Sequence, residues 1–234
     1  WNFGTLADGT QGFGFGEASP YGLAAQPVVQ SRSPAVDTLT EIPSSGFYAE
    51  PFVIALPEGA NVRCEKGGLA PTADSPETVS LAVDSSTTIR CATFEAGKLP
   101  GEEMVRTYVL GERHSLPVVF LTADPNSLFD PDSGIYMEGN FAQSKAPHYG
   151  ANYWLDKEIP VTVEFLEPGE NAPAFVKRAG LKIFGNYSRQ NDKKSVAITF
   201  REKYGDKRLR YCLFPEFPEL DKFKVFILLV VMKE

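Results

Sequence analysis

Histidine is almost missing from this 234-residue chain, which has only His114 and His148. A His-rich metal centre therefore cannot be built. Cysteine is nearly as scarce. Cys64, Cys91 and Cys212 form neither a Cys-x-x-Cys pair nor an even set, which excludes a zinc ribbon and a disulfide-framework fold. Long apolar runs are lacking too. The longest, Val225 to Met232, has eight residues, far short of the roughly 18–20 that cross a bilayer as a helix. Positive charge is in deficit, with 23 Lys and Arg against 30 Asp and Glu and a net charge of −7. That balance argues against a general nucleic-acid binder, which presents a basic face. The sequence opens at Trp1 with no initiator Met and no charged-then-apolar leader; the expectation is a processed secretory protein or a fragment.

What is present is apolar enough to fold. Hydrophobic residues make up 43% and aromatics 12%, which excludes a disordered or low-complexity chain. Twenty Gly and 18 Pro fit many short strands better than long helices. Residues 1–33 read as a Gly-rich leader or linker, with Gly12-Phe13-Gly14-Phe15-Gly16 at its centre. From Ser44 to Gly111, β-type runs alternate with turns at 52–56, 60–64, 79–83, 87–94 and 103–110. This spacing predicts a small β-sandwich. Val62-Arg63-Cys64 and Ile89-Arg90-Cys91 repeat one pattern on two predicted strands. The two thiols can face each other as a disulfide, or they can be two small buried hydrophobes.

Charge is unevenly distributed. Eleven basic and three acidic residues fall between Val176 and Arg210, a net of +8, while the rest of the chain carries −15. A basic island on an acidic body suits a compact anion better than a long polyanion. Solvated strand faces are the plainer explanation of the same charges. In the second half of the chain, alternating runs at 158–167, 179–183 and 194–200 predict strands. In the first, Ile159, Val161, Val163 and Phe165 share one face, and Thr162 and Glu164 the other. Between the later two lies a polar loop holding Ser188, Arg189, Lys193 and Lys194. Hydroxyl, guanidinium and ammonium groups so close together can hold an oxyanion, and they can equally be an ordinary soluble hairpin turn.

Two resemblances bear on the choice. Gly46-Phe47-Tyr48 and Pro51-Phe52-Val53-Ile54-Ala55-Leu56, followed by Pro71-Thr72 and Thr88-Ile89-Arg90-Cys91-Ala92, resemble the chitobiase/β-hexosaminidase C-terminal-like module. Glu65 and Gly67 stand where that module has Thr and Asp in its turn. The module implies an Ig-like spacer over 34–112, with glycan contact as its other use. Farther on come Leu116-Pro117-Val118-Val119, Gly134-Ile135-Tyr136, Ala179-Gly180-Leu181-Lys182-Ile183, Gly185 with Ser188-Arg189, and Lys194-Ser195. In that order they resemble the amino-terminal part of the CotH (spore-coat-H-like) kinase family over 113–234. The fold expected is therefore mainly β: a small Ig-like sandwich, then a β-rich kinase-like N-lobe that stops before the helical lobe.

The kinase resemblance implies ATP and Mg²⁺ as cofactors of the full-length parent. It makes Lys194 the candidate phosphate lysine, with Lys193 competing for that role and Arg189 and Ser188 ordering the loop or touching phosphate. Such transfer is mainly positioning and charge neutralisation, and it needs carboxylates to hold the metal. After Lys194 only Glu202, Asp206, Glu216, Glu219, Asp221 and Glu234 remain. None sits in a catalytic-loop context, so no catalytic residue is assigned and the chain as given is expected not to transfer phosphate. Where the family continues into a Gly-Gly-Asn segment, this chain reads Leu229-Val230-Val231-Met232-Lys233. Val-Val-Met-Lys encoded as GTG GTA ATG AAG gives Gly-Asn-Glu when read from its third base, so a frameshift is one expectation and a natural terminal strand the other.

The partners expected are a nucleotide and a protein substrate or glycan, with no nucleic acid and no membrane span. The resemblances imply a secreted or cell-surface bacterial protein. The alternative function is a non-catalytic extracellular interaction or carbohydrate-binding protein, with Tyr149, Tyr153 and Trp154 as stacking aromatics. Two other signals are weaker. Asn186-Tyr187-Ser188 matches a glycosylation acceptor, and Asp124, Asp130 and Asp132 crowd one loop as Ca²⁺ ligands or, more simply, as turn-formers and helix caps.

Overall fold

The computed structural model describes residues 2–5, 11–14 and 31–230. Two antiparallel strands open it, β1 (Asn2–Thr5) and β2 (Gln11–Gly14), with Phe3 opposite Phe13. The leader expected to be merely extended thus contains a strand pair, because Phe13 and its flanking glycines can still pair backbone to backbone. Residues 1, 6–10 and 15–30 of that leader lie outside the described residues.

Six strands follow: β3 (Gly46–Tyr48), β4 (Phe52–Ala55), β5 (Val62–Lys66), β6 (Ser80–Val83), β7 (Thr87–Thr93) and β8 (Met104–Leu110). They form a four-stranded sheet in the order β3-β8-β7-β5 and a two-stranded sheet β4-β6. Alternation decides which side chains enter. Ile54 and Val83 come in from the smaller sheet, and Val62, Ile89, Cys91, Met104 and Tyr108 from the larger. Each such burial contributes about 1.5–3 kcal/mol for a large side chain. Tyr108 is fully buried and its hydroxyl donates to the Pro43 carbonyl at 2.8 Å, so its polar end is not left unpaired. Cys64 and Cys91 are direct partners in the β5–β7 register and form a disulfide; Cys212 is a free thiol.

The second half contributes β9 (Val118–Thr122), the short helix α1 (Pro125–Phe129), β10 (Ile159–Leu166), β11 (Phe175–Phe184), β12 (Ser195–Thr199), β13 (Leu209–Arg210), β14 (Lys222–Phe223) and β15 (Val225–Leu228). One five-stranded antiparallel sheet runs β15-β12-β11-β10-β9, and β13 pairs with β14. Helix α1 starts where its chemistry says it should: Asp124 accepts from the Asn126 amide at 2.9 Å, and Pro125 occupies the first turn. Asp130 is a turn-former, accepting from Ser133 Oγ and from the amides of Asp132 and Ser133. Val161, Val163, Ala179, Leu181, Ile183, Val196 and Ile198 line one face of the sheet. The segment carrying Ala123, Ile135, Ala151 and Tyr153 covers that face. No helix among the described residues is long and apolar enough to cross a membrane.

The two cores divide along the sequence between Leu110 and Val119. Between them sits the side of β10 that alternation marks as polar. Glu164 on that side is fully buried, because β3 and the residues before it pack there. Ser45 Oγ donates to its Oε1 and accepts from the Thr107 amide at 2.9 Å, while Oε2 has no hydrogen-bond partner among the described residues. Nearby, Phe47 stacks on His114 at 4.4 Å, and the imidazole nitrogens meet the carbonyls of Leu116 and Glu170.

Burial raises the Glu164 pKa against the smaller opposing pull of the hydrogen bonds and of Arg106. The folded carboxyl then binds its proton more tightly than the unfolded one. Its contribution is fully present in acid, below the ordinary glutamate pKa, and is lost as pH rises through the raised value. Glu164→Gln should therefore gain stability relative to the parent as pH rises from about 4 to about 8. Urea unfolding of both proteins across that range measures it; a constant difference would show that Glu164 does not titrate in the window.

Candidate functional site

The loop between β11 and β12 holds all four residues singled out in the sequence, and the structure does bring them together. Gly185 opens it with φ at +120°, a conformation that glycine adopts without a Cβ penalty. A Cβ at this position would lie 2.5 Å from Ser188 Oγ, so the hydroxyl occupies the space that glycine leaves. Residues Tyr187–Gln190 then make a single 3₁₀ turn.

The two inner cations bind backbone. Arg189 donates from Nε to its own loop at Gly185 O, 2.7 Å away. Its Nη1 reaches Tyr153 O and Trp154 O at 3.3 Å each, and its guanidinium lies 6.0 Å from the Trp154 ring. Lys194 is 7% exposed. Its ammonium donates to Arg189 O at 2.7 Å and Asn191 O at 2.8 Å and sits 4.1 Å from the Tyr153 ring centroid. Burial lowers its pKa, with Asp192 and Glu138 pulling the other way. Lys194 thus clasps the loop from inside, a use of lysine that charge counting cannot distinguish from phosphate binding. Lys193 and Ser188 are exposed on the outside of the same loop.

The facing segment is itself braced. Asn152 is buried and donates its amide protons to Asp132 O at 3.0 Å and Gly134 O at 3.2 Å. Trp154 Nε1 donates to Pro147 O at 2.9 Å, and the Trp154 ring lies 5.0 Å from Tyr149. Of the three aromatics named as sugar-stacking candidates, Tyr153 is in the core, Trp154 is partly buried and Tyr149 is exposed. Asn186, Tyr187 and Ser188 are exposed at the loop tip.

A second charged group lies on the opposite face of the sheet, and the sequence reading passed over it. Alternation turns Lys182 of β11 away from Leu181 and Ile183 and therefore away from the core. Lys182 meets Asp156 at 2.6 Å. Glu158 takes Arg201 at 3.2 Å, Lys203 at 3.0 Å and the Tyr204 hydroxyl at 3.0 Å. Burial works to raise the Glu158 pKa, but the hydrogen bonds from Lys203, Tyr204 and Arg201 outweigh it and hold the carboxyl below its usual range. Gly180 makes this possible, since a Cβ there would come within 2.4 Å of Glu158 Cδ. The sequence signal was available in the i, i+2 spacing of Asp156 and Glu158 and of Arg201 and Lys203.

The basic island is therefore divided between two faces and several jobs. Lys177 pairs with Asp206 and Lys207 with Glu202. Among the described residues no three His, Cys, Asp or Glu side chains gather as a metal site. Comparison of the chain with family models, curated proteins and solved structures gives no match.

Proposed function

We propose that this chain is the phosphate-gripping, β-rich part of a CotH-like kinase, exported from the cell, and that it binds nucleotide without transferring phosphate by itself. The observation that carries the reading is the braced loop 185–194. Arg189 and Lys194 fix its shape through backbone carbonyls, so the exposed Lys193 side chain is displayed from a fixed frame while the Ser188 hydroxyl sits against Gly185. Fixed donors aimed at a polyanion are what phosphate binding requires. In this arrangement Lys193 meets phosphate, and Lys194 is a positioning residue behind it. The five-stranded antiparallel sheet supplies the rigid support. The Cys64–Cys91 disulfide supports an oxidising, extracytoplasmic setting.

Calorimetric titration with ATP, with and without Mg²⁺, tests the proposal. Wild type should give a saturable heat, and Lys193→Ala should weaken binding about tenfold, the loss of one charge-assisted hydrogen bond. Absence of heat from wild type, or binding indifferent to Lys193→Ala, would overturn it.

One observation favours a second reading, a carbohydrate-binding or interaction protein. Phe141, Tyr149 and Tyr187 are large aromatics left exposed, and aromatic faces of this kind stack on sugar rings. A glycan array separates the two, since specific retention abolished by Tyr149→Ala belongs only to the second.

A further inference from the structure

We propose that the cleft formed by Lys182, Arg201 and Lys203 binds a single phosphoryl group, independently of the 185–194 loop. The cleft encloses about 270 Å³ and is lined by Asp156, Glu158, Lys182, Arg201 and Lys203. Bulk water occupies about 30 Å³ per molecule, so a phosphate with part of its hydration shell fits.

Three cations face two carboxylates, and the two carboxylates differ. Glu158 is 13% exposed at its side chain and is held by Arg201, Lys203 and the Tyr204 hydroxyl together. It is a permanent part of the wall and orients both cations. Asp156 is 81% exposed at its side chain, and its only hydrogen bond among the described residues comes from Lys182. Such an exposed ion pair holds weakly in water, and an entering dianion displaces the carboxylate from Lys182. Arg201 touches Glu158 through Nε, and its Nη donors make no hydrogen bond among the described residues. The unused guanidinium edge, the Lys182 ammonium released from Asp156 and the Lys203 ammonium then face one volume. A tetrahedral oxyanion with three or four acceptor oxygens matches that donor set, and a guanidinium prefers phosphate because it meets two oxygens at once.

The floor of the cleft is prepared for the same purpose. Gly180 lies under Glu158 and leaves room for its side chain to lie flat on the sheet. Lys182 stands on the middle strand of five, with β10 and β12 bonded on either side. The cations are therefore mounted on strand and turn backbone, and their spacing does not depend on a mobile loop.

Inorganic phosphate is the probe, followed by calorimetry and by ³¹P line broadening on the intact chain. Phosphate should bind to wild type, and Lys182→Ala and Arg201→Ala should each weaken it about tenfold, whereas Lys193→Ala should leave it unchanged. Lys203→Ala, at an exposed turn, repeats the test where folding is not at stake and should also weaken binding. Asp156→Asn should tighten phosphate binding, a result that a purely structural salt-bridge network does not produce. No binding to wild type, or binding insensitive to Lys182→Ala and Lys203→Ala, would overturn the assignment. Sulfate, phosphoserine and ATP as parallel ligands distinguish a free ion, a phosphorylated side chain and a nucleotide as the source of the group. About tenfold weaker ATP binding in Lys193→Ala with phosphate binding retained keeps this cleft separate from the nucleotide reading.

Discussion

Replacing Cys64 and Cys91 together by Ala should lower the unfolding free energy by about 3–4 kcal/mol, the loop-closure value for a cross-link over 27 residues. The two positions lie opposite each other in the β5–β7 ladder. The bond therefore ties strands that already pair, and the stabilisation comes from restricting the unfolded chain. Met104, Ile89 and Val62 still cover Cys91 after substitution by Ala, so the native packing loses little. In a thermal scan the transition should fall by roughly 10 °C, and reducing agent should shift the parent but leave the double variant unmoved. A shift of only a degree or two would mean that the sandwich core holds the strands together unaided.

The second large effect concerns Lys194. Lys194→Met keeps an unbranched stem against Tyr153 and Tyr136 but removes every donor. The carbonyls of Arg189 and Asn191 lose their ammonium partner. At about 1 kcal/mol for each carbonyl left to find water, the cost is about 2 kcal/mol. Hydrogen exchange of the amides between Gly185 and Ser195 should accelerate in the variant while exchange in β5 and β7 stays unchanged. ATP titration of the same variant is diagnostic. A positioning lysine gives weaker binding that parallels the loosened loop, whereas a direct phosphate contact gives lost binding with loop exchange unaltered.

Much of the strand content was legible because side-chain alternation is a local property. The run from Ile159 to Phe165 specified β10 and its two faces, and the repeated apolar-Arg-Cys pattern brought Cys64 opposite Cys91. Burial of the second face was not legible. Thr162 and Glu164 mark a polar side of β10, yet only the packing of Ser45 and Thr107 on it shows that Glu164 is enclosed. Strand β3 was missed for a related reason: it is three residues long and pairs in parallel with β8, some sixty residues away. In the candidate loop the sequence named Ser188, Arg189, Lys193 and Lys194, which the structure places on one loop, but it carried no information on the carbonyls that bend back toward Lys194. Around Lys182 the i, i+2 pairs Asp156/Glu158 and Arg201/Lys203 stand in the sequence, but the cleft's five members come from three separate segments that only the sheet aligns.

The bracing of loop 185–194 has a kinetic corollary. Because Arg189 and Lys194 settle its shape through bonds internal to the protein, a nucleotide bound as proposed would have little chain left to freeze. Encounter should then lead to capture without an intervening rearrangement. Association would run at the pace of ordinary docking, with residence time alone separating good ligands from poor ones.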